Sequence, residues 1–505
     1  MSKFSAGFIL AAVCASFGTG RTEAASPAAR PNILWVVWDT VRTDRMGVYG
    51  YDRPTTPFVS RWAKNARVFE NCISAAPTTA ASHASMFTGL LPVTHRTDNT
   101  NRILPLELDT IAELMRNGGY RTYLYSANPF IIDKFRFTQG IDVSDHPWDI
   151  RRRGLATPII LRRMVEAGRP LPDFGDGKKG LTPWAATGTG VLAKDALLAW
   201  LADSDAERPF FAFLNYMEAH TPRRPPRRFR EQVMPADQVA GSYASLGSEW
   251  AFTFRKSDPA PGVLEGYSNA YDAAVAELDA LFRHLLAALE DRGALDNTIV
   301  VLTSDHGEHL GEHHMVNHQF SVYDPLLHVP LILHAPGRIE PGRDTHPVMN
   351  LDLFPTLLEL AGLPVPDSPA SVAVSLQRPL RERPRVAQYP TVPMWAIEGV
   401  RSNHPDWDLS SFLVPLESIQ LDPHKVIRGS DGRRALYDLE NDPGELNNLY
   451  AARPDVAATL SAELDIQLEQ AAGVSPTREP PAPLTPTEHL RLKSLGYVGD
   501  GGNGE

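Results

Sequence analysis

Residues 32–38, Asn-Ile-Leu-Trp-Val-Val-Trp, run apolar without interruption and stop abruptly at Asp39-Thr40. That is the pattern of a central strand buried on both faces, and it puts Asp39 at a carboxyl end of the sheet, the edge where open α/β sheets bind ligands. Residues 298–303 repeat the pattern with β-branched side chains and end in Ser304-Asp305-His306-Gly307-Glu308. A third run, 209–217, leads into Glu218-Ala219-His220-Thr221-Pro222. Residues 120–125 and 329–333 read as further strands. Between the strands fall helical periods at 107–119, 192–201, 271–289 and 352–361. The first is opened by Asp109 or Thr110 with Glu113 and closed by Gly118-Gly119; the third has apolar residues at 271, 275, 278, 281, 282, 285, 286 and 289, with Gly293 behind them. Strands alternating with helices over this length predict a mostly parallel sheet covered on both faces.

Residues 76–89 read as a turn that becomes a helix: Pro77 and small hydroxyl residues mark the entry, Ala-rich sequence follows, and Gly89 with Pro92 mark the stop. Thr79 falls in the first turn, where unpaired backbone N–H groups and the positive end of the macrodipole favour negative charge. His83, four residues on, shares its helix face. Residues 141–190, rich in Arg, Gly and Pro, predict an insertion over the sheet edge with a short helix near 159–167. Beyond them the Pro-rich stretch 364–385 reads as a linker. Strand-like runs at 425–428 and 434–438, the turn Glu440-Asn441-Asp442-Pro443-Gly444 and helices at 455–471 and 487–496 then predict a small α+β unit. The expected division is a signal peptide at 1–25, a catalytic domain at 31–365, a C-terminal α+β subdomain at 386–499 and a disordered tail at 500–505.

Composition narrows the class of partner. A net charge of −11, from 49 Lys+Arg against 60 Asp+Glu, excludes a broadly basic nucleic-acid surface. Residues 1–25 carry Lys3, an Ala-rich apolar run to Phe17 and small residues at Ala24 and Ala25, the layout of a secretory signal peptide. The run is shorter than the ~20 residues a spanning helix needs, and Val13 stands where a lipoprotein would want a small residue before Cys14. After cleavage Cys72 alone remains, so no internal disulfide is expected. The expectation is an exported protein, secreted or periplasmic, with no integral membrane segment once the signal is removed.

Asp39, Asp305 and His306 all stand at predicted strand ends, and in a parallel sheet those ends share one rim. Two carboxylates and an imidazole make a site for one divalent cation: the oxygen ligands suit Mg²⁺, Ca²⁺ or Mn²⁺, and the imidazole admits Zn²⁺. A cation there would lower the pKa of a coordinated hydroxyl such as that of Thr79. Each residue also has a plain structural reading. Thr79 can be a helix cap, Asp39 can cap the turn after it, His220 can be a surface-loop histidine, and the Arg-rich loop 223–230 can be solvated or can meet an anionic group on a large substrate.

Taken together, the segments 32–50 with Thr55-Thr56-Pro57, 77–89, 213–222, Ser304-Asp305-His306-Gly307-Glu308 with Gly311-Glu312-His313, Val329-Pro330-Leu331, and Leu436-Tyr437-Asp438-Leu439 with Asp442-Pro443 resemble the sulfatase family of the alkaline phosphatase superfamily. Order and spacing agree from about residue 31 to about residue 449. The resemblance implies an α/β sandwich, with a large mostly parallel sheet between helices and a small C-terminal α+β subdomain, that hydrolyses sulfate or phosphate esters at a metal site. It implies Asp39, Asp305 and His306 as metal ligands and Thr79 as a nucleophile that also faces the metal. His220 falls on a histidine handling substrate or leaving group, and His318 on a basic substrate-binding position. His83 joins the candidate catalytic set through its place beside Thr79.

The departures from the family pattern carry as much weight. Sulfatases place a Cys or Ser, within Cys-x-Pro-x-Arg, where this chain has Thr79-Ala80-Ala81-Ser82-His83. That residue is oxidised to formylglycine, whose hydrate expels sulfate by breaking a C–O bond, and threonine cannot become that aldehyde. Cys72 lies seven residues upstream without the pattern, and Thr40 replaces the second acidic ligand of calcium sulfatases. The chain is in these respects similar to superfamily members that use a Thr nucleophile on phosphoryl groups, such as phosphodiesterases and phosphoethanolamine transferases. The expectation is a metal-dependent phosphoester or phosphodiester hydrolase acting on an anionic ester through Thr79. A sulfate-ester hydrolase and a non-catalytic binding protein that retains the fold are the alternatives.

Overall fold

The computed structural model describes residues 30–166, 187–203, 207–244, 246–473 and scattered positions between 475 and 488. The expected signal peptide, the tail at 500–505 and all but one residue of the predicted helix at 487–496 lie outside the described residues. The principal sheet has eight strands: β1 (Asn32–Trp38), β2 (Arg67–Phe69), β3 (Arg121–Ser126), β4 (Val143–Asp145), β5 (Phe210–Tyr216), β6 (Thr298–Thr303), β7 (Leu331–His334) and β8 (Gly342–Asp344). Their order is β8-β2-β7-β6-β1-β5-β3-β4, and every neighbouring pair is parallel except those that β7 makes. The apolar runs of β1 and β6 therefore lie side by side at the centre, buried along their whole length save Asn32. The expected insertion at 141–190 contributes the edge strand β4 and a helix over Ile150–Glu166, longer than the predicted 159–167.

Both faces are covered, as alternation along β1 requires. Trp35 and Trp38, an odd number of residues apart, point to opposite faces. Trp35 meets Phe87 of helix α1 (Thr79–Thr88) at 5.9 Å between ring centroids. Trp38 meets Phe282 at 6.0 Å, in a long helix over Val263–Glu290 that starts eight residues before the predicted 271. The helix at Ile111–Asn117 begins with the expected capping box, Thr110 and Glu113 exchanging side-chain and backbone hydrogen bonds.

After the proline-rich stretch the chain builds a four-stranded antiparallel sheet: β9 (Arg385–Tyr389), β10 (Leu416–Leu421), β11 (His424–Gly429) and β12 (Arg434–Asp438), in that order, backed by a helix over Pro454–Ala472. β9 and β10 lie outside the runs that the sequence pattern marks as strands, although the Asp422-Pro423 turn follows β10 directly. This small sheet is fastened to the large one by buried charge. Lys425 Nζ lies 2.7 Å from Asp324 Oδ1 and 2.8 Å from Glu445 Oε1, and Glu445 accepts the Asp324 backbone N–H at 2.6 Å. Asp324 opens a turn whose next two carbonyls, Pro325 and Leu326, accept from the N–H groups of Glu308 (3.1 Å) and Gly307 (2.7 Å). The small sheet thus reaches the loop beyond β6 through a single turn.

Helix α1 ends at Gly89, which adopts φ 70° with its N–H on Ser85. A Cβ there would stand 2.9 Å from the Phe354 ring. Gly89→Ala is expected to lower stability by more than about 1 kcal/mol, since it combines left-handed strain with a core clash. Gly50→Ala is strained only in its backbone, at φ 100° with nothing within 4 Å, and should cost less. Urea titrations followed by tryptophan fluorescence compare the two; equal midpoints would remove the packing part of the argument.

Candidate active site

Each site residue stands just past a strand or at a helix start. Asp39 continues β1, its N–H donating to Tyr216 O at 2.9 Å. The chain then turns through Thr40 in the left-handed region (φ 64°), held by Tyr271, whose Oη donates to Thr40 O at 2.7 Å and accepts from Arg42 N–H at 2.9 Å. On the neighbouring strand, Ser304 Oγ donates to His306 O (2.7 Å) and Asp305 Oδ1 accepts from the N–H groups of His306 (2.9 Å) and Thr40 (3.2 Å). Gly307 leaves room for the Pro325 carbonyl, which would lie 2.0 Å from any Cβ at that position. Helix α1 is docked onto this strand end by Ser82 Oγ, which donates to Asp305 O at 2.7 Å, and by Asn350 Nδ2, which donates to Ser82 Oγ at 3.0 Å.

The result gathers four of the predicted residues. One ligand atom each of Asp39, Asp305 and His306 lies within 4.8 Å of the others, and all three residues are fully buried. Thr79 Oγ1 is 3.3 Å from His306 Nε2. His306 Nδ1 donates to Gly307 O (2.9 Å), so Nε2 presents its lone pair to the cluster. Among the described residues, Asp39 Oδ1 and Asp305 Oδ2 have no hydrogen-bond partner. Burial, reinforced on Asp39 by Asp305, pushes both carboxyls up to about 7, and burial brings His306 down to about 4. Unpartnered carboxylate oxygens and an imidazole lone pair facing one another fit a divalent cation, and this donor set accepts Mg²⁺, Ca²⁺, Mn²⁺ and Zn²⁺ alike.

The remaining candidates occupy two different positions. His220 and His318 come together, their rings 5.1 Å apart, and the His318 ring lies 4.5 Å from that of His306. Burial opposes charge on His318, but Glu308, 3.3 Å from its Nδ1, more than offsets this and raises its pKa above the ordinary histidine value. Glu308 is itself brought down to about 2 against the effect of burial by Arg223, 3.1 Å away, and by His318. His220 is held neutral, near 3, by burial and the neighbouring His318, with Nδ1 donating to Thr221 O. His83 sits behind Thr79. Its Nδ1 donates to the Thr79 carbonyl at 2.9 Å, its ring packs edge-on against Phe87 and Phe213, and burial holds it near 3. Its contact is with the Thr79 backbone and, at 3.5 Å, with Asp305 Oδ2.

Two residues escaped the sequence reading. Asn128 Nδ2 donates to Asp39 Oδ2 at 2.8 Å and lies 3.5 Å from Thr79 Oγ1, its orientation set by Oδ1 accepting Phe130 N–H at 2.9 Å. Asn215 Nδ2 reaches the same Asp39 oxygen at 3.3 Å. The available signals were an asparagine inside the apolar run Phe-Phe-Ala-Phe-Leu-Asn-Tyr and another two residues beyond β3. The Arg-rich loop is neither solvated throughout nor wholly exposed. Arg224 and Arg230 are buried and the Arg223 side chain is only 3% exposed, while Arg227, which opens a helix over Arg227–Val233, pairs with Glu231 at the surface.

A rim of this kind, with paired acids and a hydroxyl at a helix start, defines an ester hydrolase of the alkaline-phosphatase-like fold, and the comparisons agree. Residues 31–363 match the sulfatase family, and the chain belongs to it. Arylsulfatase K of Canis lupus familiaris is 25% identical over 92% of this chain and 87% of its own length. The ulvan-active sulfatase of Formosa agariphila is 25% identical over 87% and 81%. In structure, the phosphonate monoester hydrolase of Silicibacter pomeroyi superposes with a TM-score of 0.66 at 21% identity, covering 88% of this chain and 96% of that one.

The pH response of the cation-free protein tests the paired acids. Both aspartates have folded pKa values above the unfolded value of about 3.9. Their contribution to stability is therefore present below that pH and is lost as pH rises through about 7. Asp305→Asn, which keeps an oxygen for the two N–H donors, should gain in thermal midpoint over the cation-free wild type as pH rises from about 4 to about 7. With cation added the order should reverse, since cation binding stabilises only the intact site. A pH-independent difference, or equal cation stoichiometry in both proteins, would remove the ligand assignment.

Proposed function

We propose that the chain hydrolyses phosphate esters by transient esterification of Thr79, at a site holding one divalent cation on Asp39, Asp305 and His306. The observation that carries this reading is Thr79 Oγ1, 3.3 Å from His306 Nε2 and in the first turn of α1, at the position where sulfatases form their aldehyde. When bound, such a cation would lower the pKa of the Thr79 hydroxyl and draw charge from the ester oxygens. The backbone N–H groups that open α1 face negative charge developing on the equatorial oxygens. Asn128 holds Asp39 and lies within reach of Thr79 Oγ1, which fixes the direction of in-line attack.

Proton transfer falls to His318. Thr79 enters each turnover as the oxyanion, its hydroxyl proton already lost to water. The Oγ1–phosphorus bond forms as the bond to the leaving oxygen breaks, and that oxygen takes a proton from the imidazolium that Glu308 backs. Water then attacks the phosphothreonine from the vacated side and gives one proton to His318, releasing hydrogen phosphate and the threonine oxyanion. His220, a neutral ring that donates from Nδ1 to its own loop, offers Nε2 as an acceptor that orients the substrate. This shifts the leaving-group role from His220, where the family resemblance puts it, to its neighbour.

The sulfate-ester reading draws on the two relatives named above, both called sulfatases. A plain threonine sulfate, however, lacks the hemiacetal exit that formylglycine provides, so sulfate turnover should stall at the covalent stage. Export, to the periplasm or beyond, rests on residues 1–25; among the described residues no helix is long and apolar enough to cross a membrane.

Assays of phosphate and sulfate esters with added divalent metals should give phosphate turnover well above sulfate turnover and an acid-stable phospho-adduct on Thr79. Thr79→Ala should lose activity almost completely and Thr79→Ser should keep part of it; full activity in Thr79→Ala would replace the threonine by water as nucleophile. His318→Ala should slow poor leaving groups by ~10²–10⁴-fold and activated ones much less, as expected for loss of a general acid. His220→Ala should slow both equally. The opposite pattern would return the proton to His220.

A further inference from the structure

The loop that follows His220 encloses a second space. A cavity of about 140 Å³ is lined by, among others, Thr221, Arg223, Arg224, Arg230, Glu249 and Tyr267. Among the described residues, three arginines line it with a single carboxylate. Arg224 and Arg230 are buried and the Arg223 side chain is only 3% exposed, each with interactions of its own. Arg223 pairs with Glu308 and lies over the Tyr267 ring at 4.3 Å; Arg230 donates to Ser242 O and Oγ and lies over the Tyr243 ring at 3.9 Å. Glu249 accepts from Asn317 Nδ2 at 2.8 Å, and burial raises its pKa, which weakens it as a counter-charge. Like charges gathered out of water carry a free-energy cost that an entering anion offsets.

The cavity's place is set by the chain. Thr221 is the residue after His220, Glu249 bonds the residue before His318, and Arg223 continues to the carboxylate that backs His318. We propose that this cavity is an anion subsite on the leaving-group side of the ester, taking a second negative group such as a carboxylate, sulfate or phosphate. Its volume equals that of roughly five waters at about 30 Å³ each, room for one such group against the forked N–H donors of arginine. The inference deepens the proposed reaction and rests on it for the ester but not for binding.

The test compares phenyl phosphate with 4-carboxyphenyl and 4-sulfophenyl phosphate. Wild-type protein should prefer the doubly anionic esters. In Arg224→Gln the ratio of kcat/KM for the doubly anionic esters over phenyl phosphate should fall about tenfold, the scale of one charge-assisted hydrogen bond. Ala244→Glu adds a carboxylate at the exposed mouth without removing a buried cation, so it keeps the test open if Arg224→Gln fails to fold; the same ratio should fall. Loss for one ester only would identify which anion the cavity takes, and an unchanged ratio in every folded variant overturns the subsite. Calorimetric binding of the same compounds to Thr79→Ala separates the two claims. Selective binding without wild-type turnover would reject the phosphoester reaction and keep the subsite.

Discussion

Two carboxylates, Asp39 and Asp305, are completely buried at the ends of adjacent parallel strands, each with one oxygen tied down and one left facing the other. Without a shared positive charge between them this is an unfavourable pairing, and the surrounding structure is arranged to impose it. Amide groups of Asn128 and Asn215 grip one aspartate and backbone N–H groups grip the other. The turn at Thr40 is held in an uncommon conformation by Tyr271. Remove the constraint and neither the strained turn nor the buried asparagines have a reason to be there.

A second tier of charge surrounds that centre. Arg223, Glu308 and His318 alternate in sign and end against the His306 ring, so a guanidinium from the Arg-rich stretch bears on the cluster through two intervening groups. Of the two readings of residues 223–230, the solvated one does not hold for Arg223, because periodicity cannot tell a guanidinium stacked under two tyrosines from one in water.

Much of the rim was legible because apolar runs that end in a polar residue identify both a buried strand and its carboxyl end. Asp39, Asp305, His306, His220 and Thr79 were all located by that single rule and by helix punctuation. Asn128 and Asn215 were not, since an amide gives no chemical signal until the carboxylate it holds is in view. The strands β9 and β10 were missed for a different reason: their pairing is set by neighbours in the small sheet, and Pro390 and the Asp422-Pro423 turn mark only where they end. His83 was correctly placed on the face of Thr79, yet spacing could not tell that its ring would serve the backbone carbonyl.

The bridge from Lys425 and Glu445 through Asp324 to the Pro325 and Leu326 carbonyls carries a consequence for how such a fold can be inherited. Gly307 has no side chain because the Pro325 carbonyl occupies that space, and the carbonyl is where it is because the small sheet holds the turn. The catalytic rim is accordingly the joint property of two parts of the chain that look separable. A gene fragment ending with the large sheet would encode Asp39, Asp305 and His306 but not Lys425 and Glu445, the two charged groups that hold the Asp324 turn against the loop carrying Gly307.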